Sequence, residues 1–188
     1  MLDVKVTEYD PSWSVTFQQL KAELASILEK VPLIEIKHVG STAIPGLAAK
    51  PMIDIDIIIE PRYIFKALGV LSYAGYTYNP EPWYPDRASF RWKGHQHDQG
   101  ASKPTEDGQP RRMVYLLTPD SNVLHNHLKL QRVLLQDSEL REAYGSVKLE
   151  LSKSSHADIS AYGRAKSGVI ERIYAKAESM GDNGEYRP

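Results

Sequence analysis

The chain has 188 residues, 41% of them apolar, with 23 basic and 24 acidic side chains, a length and balance that suit one domain with a substantial core. A net charge of −1 excludes the broad electropositive field that holds nucleic acid or anionic lipid nonspecifically, so any polyanion must be gripped locally. The lack of cysteine excludes disulfide scaffolds, thiolate zinc sites and thiol nucleophiles; without a basic-apolar leader or an apolar run of about 18 residues, the expectation is a soluble, cytoplasmic protein with no membrane partner.

Asp10-Pro11 reads as a helix start, and Phe17, Leu20, Leu24, Ile27 and Val31 follow at helical spacing until Pro32. Residues 33–39 favour a strand, which Gly40-Ser41 interrupts before a short helix curtailed by Pro45 and Gly46. Residues 52–59 hold five isoleucines, whose branched carbons suit a pleat, and are expected near the middle of a sheet. An amphipathic helix over 64–73, ended by Gly75, precedes weaker strands at 76–78, 89–92 and 113–117. The polar, Gly- and Pro-rich stretch 94–110 reads as an exposed loop. Three helices are then expected, marked by Leu124 and Leu128, by Leu140, Tyr144, Val147 and Leu151, and by Ile159, Tyr162, Val169, Ile170 and Ile173. The pattern predicts a single α+β (or α/β) domain: a core over 1–120, C-terminal helices over 121–178 and a flexible tail over 179–188.

In the isoleucine-rich strand the period of two sets Ile53, Ile55, Ile57 and Ile59 on one face and Met52, Asp54, Asp56 and Ile58 on the other. Two carboxylates flanked by apolar groups are costly unless a cation or a shared proton relieves them. Mg²⁺, or Mn²⁺ in its place, resolves this, because it accepts one or two carboxylates and completes its shell with water and phosphate. The competing reading makes this an edge strand whose acids only deter aggregation. One strand earlier, Gly40-Ser41-Thr42 offers backbone N–H groups and hydroxyls to an anion, or is simply a tight loop. It is not a P-loop, since Lys50 is followed by Pro51 and the glycine spacing is wrong.

Gly40-Ser41, a short helix and Asp54-x-Asp56 together resemble the signature of the DNA polymerase β-like nucleotidyltransferase superfamily. More closely, Tyr9-Asp10-Pro11-x-Trp13, the run from His38-Val39-Gly40-Ser41-Thr42 to Lys50-Pro51, and Asp54-Ile55 resemble the GrpB family of small bacterial proteins. Tyr144-x-x-x-Lys148 and Tyr162-x-x-x-Lys166-Ser167 stand where that family has similar units. The resemblance implies a nucleotidyltransferase-like mixed sheet flanked by helices, and a nucleoside triphosphate whose nucleotidyl group passes to an acceptor: a small molecule, a protein or RNA. Asp54 and Asp56 would be catalytic and hold Mg²⁺, while Gly40, Ser41 and Thr42 would meet the triphosphate. The chain departs from the superfamily in lacking a carboxylate in the strand at 112–117, leaving Asp98, Asp107 and Asp120 in loops; it also lacks the His-x-His of the GrpB pattern there. A binding module of the same fold without turnover is therefore the rival reading.

Further residues have two readings each. Lys166, four after Tyr162, either reaches the triphosphate or lays its stem on the core. Lys148 reads as a surface lysine. Arg91, and more weakly Arg87 and Arg111-Arg112, offers a guanidinium to phosphate or belongs to a solvated face. His95-x-His97 with Asp98 suggests a loop metal but lacks supporting groups. His125 and His127 point about 200° apart on a helix and are set aside, and His38 reads as a hydrogen-bonded core histidine.

Overall fold

The computed structural model describes residues 4–79, 87–92, 110–156 and 159–187. Its elements are α1 (Ser12–Ile27), β1 (Glu35–Val39), β2 (Ile53–Ile58), α2 (Ile64–Tyr73), β3 (Tyr76–Asn79), β4 (Arg87–Trp92), β5 (Arg112–Leu117), α3 (Asn122–Gln136), α4 (Ser138–Leu151), α5 (Ile159–Arg164) and α6 (Ser167–Ser179). The strands make one mixed sheet in the order β1-β2-β5-β4-β3, parallel only between β2 and β5. β2 thus has a partner on each side, and the edge-strand reading of its acids falls.

The two faces of β2 serve different ends. Ile53, Ile55, Ile57 and Ile59 pack with Val114, Leu116 and Phe90 against Trp13, Phe17, Leu20 and Leu24 of α1 and Ala67 and Leu71 of α2. Each such side chain contributes about 1.5–3 kcal/mol by leaving water. The other face carries Asp54 and Asp56 toward the C-terminal helices, which have a core of their own: Ile44 and Leu47 with Val133, Leu134, Leu140, Val169 and Ile173. Ile58 and Leu117 join that face to Val123, Leu124 and Leu128 of α3.

Local signals explain the helix starts. Asp10 Oδ1 accepts from Ser12 N at 2.8 Å, the Ser121 hydroxyl accepts from Val123 N and Leu124 N, and Asp137 Oδ1 accepts from Leu140 N at 2.9 Å. α1 ends at Ile27, before Pro32, and a turn from Leu28 to Val31 still buries both ends, so the apolar spacing outlasts the helix. The third C-terminal helix is two, α5 and α6, with Lys166 at the joint; Gly163 and Gly168 bracket it and weaken helix continuity. Among its described residues the tail carries no helix or strand beyond Gly181, and it makes contacts: Arg132 donates to Asp182 Oδ1 and Glu185 O, both at 2.8 Å, and Tyr186 OH donates to Glu35 Oε2 at 3.0 Å. Its polar composition concealed partners on α3 and β1.

Arg112, weighed above as a phosphate contact, faces the main core instead. It is sandwiched between Trp92 and Tyr76 at 4.3 and 5.3 Å and donates to both Glu23 oxygens at 3.1 Å. The loop expected at 94–110, with His95, His97, Asp98 and Asp107, lies outside the described residues except for Pro110. Among the described residues no helix is long and apolar enough to cross a membrane.

Candidate functional site

The acid-bearing face of the sheet and the helices α3 to α6 enclose a cavity of ≈ 250 Å³, entered by Ser41, Lys50 and Asp54 from the sheet side and by His127, Tyr144, Lys148, Tyr162 and Lys166 from the helices. Its sheet side is set by the turn after β1. Antiparallel pairing places Val39 opposite Asp54, and Gly40 follows with φ of 71°. A Cβ on Gly40 would lie 2.5 Å from Asp54 Oδ2, so only glycine lets the turn close over the carboxylate.

Thr42, expected to contact phosphate, has other work. Its hydroxyl donates to Met52 O at 3.2 Å and lies 3.0 Å from His38 Nε2. Since the hydroxyl hydrogen is committed to Met52, His38 Nε2–H is the donor to Thr42. Burial holds the His38 pKa down to about 4, so the ring is neutral, and it stacks on Phe17 with centroids 4.7 Å apart. His38 is thus a hydrogen-bonded, half-buried histidine bracing the turn. Thr42 lines the cavity but ties the turn to β2, while Ser41 and Tyr144 line the same cavity. The amides of Ser41 and Thr42 open the 3-10 turn Ser41–Ala43, where helical geometry supplies them no acceptor.

The two acids share a face, as their spacing predicts, but not an environment. Asp54 reaches the cavity, and burial pushes its pKa up to about 6 against the opposing pull of Lys50, His127 and Lys166. Asp56 is wholly inaccessible, and both of its oxygens lie on His127 Nδ1, at 2.9 and 3.1 Å. β5 presents Met113 opposite Asp54 and Tyr115 opposite Asp56, so no carboxylate completes the set from that strand. Asp120 is exposed in the turn before α3. Among the described residues no group of three or more His, Asp and Glu side chains is placed to hold a metal.

The helix side is cationic and aromatic. Lys148 is not a surface lysine: it is 3% exposed, and its buried Nζ has no hydrogen-bond partner among the described residues. The ammonium sits 4.4 Å from the Tyr144 ring, and burial, then Lys166, brings its pKa down to about 7. Lys166 sits 4.5 Å from the Tyr162 ring, and burial, then Lys50, brings it to about 8. The two Tyr-x-x-x-Lys units therefore converge on one cavity from different helices, each lysine laid on its own tyrosine. Lys166 lines that cavity with Lys148.

Arg91 does not join them. It pairs with Met113 across β4 and β5 and so shares the acids' face, but it stands two strands from Asp54 and outside the described cavity lining. Sequence reasoning missed Lys50, Tyr115, Asn126 and His127, all of which line the cavity. The opposed directions of His125 and His127 were correct, with His125 Nε2 3.1 Å from Pro119 O; the contact with Asp56, 71 residues away, had no local signal.

The GrpB protein family matches residues 3–176. The chain belongs to the GrpB family. It is 27% identical over 183 residues to a UPF0157 protein of Halalkalibacterium halodurans, covering 94% of this chain and 83% of that one. A UPF0157 protein of Streptomyces coelicolor is 28% identical over 181 residues, covering 94% and 85%. Among solved structures, the conserved protein GrpB from Enterococcus faecalis superposes with a TM-score of 0.67 and 24% identity, over 90% of this chain and 99% of that one. GLD-2 in its complex with RNP-8 gives 0.53 and 16% identity, over 87% and 58%. The chain shares its fold with both structures.

Proposed function

We propose that this GrpB protein binds the polyphosphate of a nucleoside triphosphate in the cavity and transfers its nucleotidyl group to an acceptor. The observation that carries the reading is Lys148: a buried amine with no hydrogen-bond partner among the described residues, close enough to Lys166 and Lys50 for each to lower its pKa. Crowding cations in a desolvated place costs free energy that an anion filling the cavity returns. Support also comes from the nucleotidyltransferase-like fold, with its Gly40-Ser41 turn closed over Asp54.

The residues suit one divalent cation and not a centre built on three carboxylates. Asp54 reaches the cavity and carries a charge that burial disfavours, whereas Asp56 is inaccessible, with both oxygens against the one His127 Nδ1. Mg²⁺ or Mn²⁺ on Asp54, with water and phosphate completing its shell, would neutralise charge on the transferring phosphate. Lys148, Lys166 and Lys50 would hold the phosphate oxygens, Ser41 would donate from hydroxyl and amide, and Tyr144 and Tyr162 would keep the lysine stems in place and water out.

A second reading, a nucleotide- and metal-binding module without turnover, is favoured by one observation: Met113 and Tyr115 occupy the β5 positions facing the acids. Thermal unfolding against each nucleoside triphosphate, with and without Mg²⁺ or Mn²⁺, tests binding. The expected result is a rise in midpoint that needs the metal, is lost in Asp54→Asn and is weakened in Lys148→Met. Wild type unmoved by every triphosphate sinks both readings, and pyrophosphate release separates them.

A further inference from the structure

α4 buries a face made of Leu140, Tyr144, Gly145 and Lys148, and that face lies against the run between the Gly40 turn and β2. A Cβ on Gly145 would stand 3.6 Å from Leu47 Cδ1, so the helix approaches closely there, and Lys148, almost one turn on, enters the cavity wall. Its Nζ is buried with no hydrogen-bond partner among the described residues, whereas Lys50 and Lys166 are only half-buried. An ammonium buried without an acceptor is costly; shedding its proton relieves the cost and leaves a lone pair on Nζ that no donor occupies. Burial, then Lys166, brings the group to about 7, and a desolvated lysine beside another cation is an activated nucleophile. The β5 positions facing the acids are Met113 and Tyr115, so no carboxylate stands there to take a proton from an acceptor hydroxyl, and a neutral amine needs none in order to attack.

We infer, resting on the nucleotide reading above, that Lys148 is the nucleophile of a two-step transfer and carries the nucleotidyl group as a phosphoramidate before any acceptor receives it. In the first step Nζ bonds to the α-phosphorus, the bond from that phosphorus to the bridging oxygen breaks, and pyrophosphate leaves with the bonding electron pair. The proton that Nζ sheds passes to solvent or to the departing pyrophosphate. In the second step the acceptor's oxygen or nitrogen bonds to the phosphorus as the bond to Nζ breaks. The electron pair returns to Nζ, together with the proton that the acceptor loses. Lys166, laid on the Tyr162 ring, and Lys50 remain as the cations that hold the phosphate oxygens.

No acceptor is needed for the test. The full chain is mixed with Mg²⁺ or Mn²⁺ and each nucleoside triphosphate labelled at the α-phosphate, quenched at intervals, and read by intact mass and peptide mapping. The expected result is a label approaching about one nucleotidyl group per chain, mapped to Lys148, stable to alkali, released by acid and driven back to triphosphate by added pyrophosphate. Lys148→Met should lower labelling by about 100-fold or more. Lys148→Arg, which keeps a cation but no nucleophile, should lose the label as fully while keeping part of the nucleotide-induced rise in unfolding midpoint. Label on another residue, or label retained in Lys148→Arg, overturns the proposal. So does a wild type whose midpoint rises with nucleotide while Lys148 stays unlabelled, and that outcome leaves the nucleotide reading standing. A wild type neither shifted nor labelled by any triphosphate sinks both. Should either variant fail to fold, the mapping on wild type decides alone.

Discussion

Gly40 and Lys148 show how single residues fix this cavity. Gly40→Ala would drive a Cβ to within 2.5 Å of Asp54 Oδ2 at a positive φ, so it should cost about 1–3 kcal/mol in urea denaturation and abolish any metal-dependent nucleotide shift. Unchanged stability would mean that the turn does not close over Asp54. For Lys148 the sign follows from proton counting. The folded group titrates near 7 and the unfolded one at its ordinary value of 10.5, so between those values the unfolded state binds more protons and stability rises with pH. The penalty of burying the ammonium stands in full below pH 7 and fades toward pH 10.5. Wild type should therefore gain on the order of 2 kcal/mol more than Lys148→Met between pH 7 and 9, measured by chemical denaturation at each pH. Parallel profiles would place the amine in water.

At the scale of elements, legibility tracked the range of the interaction. The faces of β2 follow from a period of two, and α2 from its apolar spacing and Gly75, because both patterns are local. The burial of Lys148 is not local: a lysine on a helix stripe reads as solvated until another helix, here bringing Lys166, closes over it. The tail is similar, since its polar residues find partners only on α3 and β1. Arg132 joins α3 to that tail through Asp182 Oδ1 and Glu185 O, and Gly184 fits where a Cβ would meet His125 O at 2.4 Å. Arg132→Ala should lower stability by about 1 kcal/mol and raise amide exchange over 182–187 before it affects α3. Unaltered exchange in that segment would show that Gly184 and Tyr186 hold it unaided.

At the scale of the whole molecule, the fold sets a sheet face with two acids against helices that bring lysines, and the charges only partly compensate. Asp54 titrates near 6 in the folded state against 3.8 in the ordinary carboxylate, so the folded state binds more protons between those values and stability falls as pH rises through that window. Lys148 and Lys166 contribute in the opposite sense from about 7 and about 8 upward. Without ligand, the cavity is thus most costly around neutral pH, where Asp54 is ionised and the lysines still carry protons. Asp54→Asn should remove the fall between pH 4 and 6, raising the ligand-free unfolding midpoint at pH 7 relative to wild type. The same variant should gain nothing from Mg²⁺ plus nucleotide, which reverses the order of the two proteins when ligand is present. That reversal separates a carboxylate kept for a ligand from one kept for the fold: a structural acid would lose stability on neutralisation in both conditions.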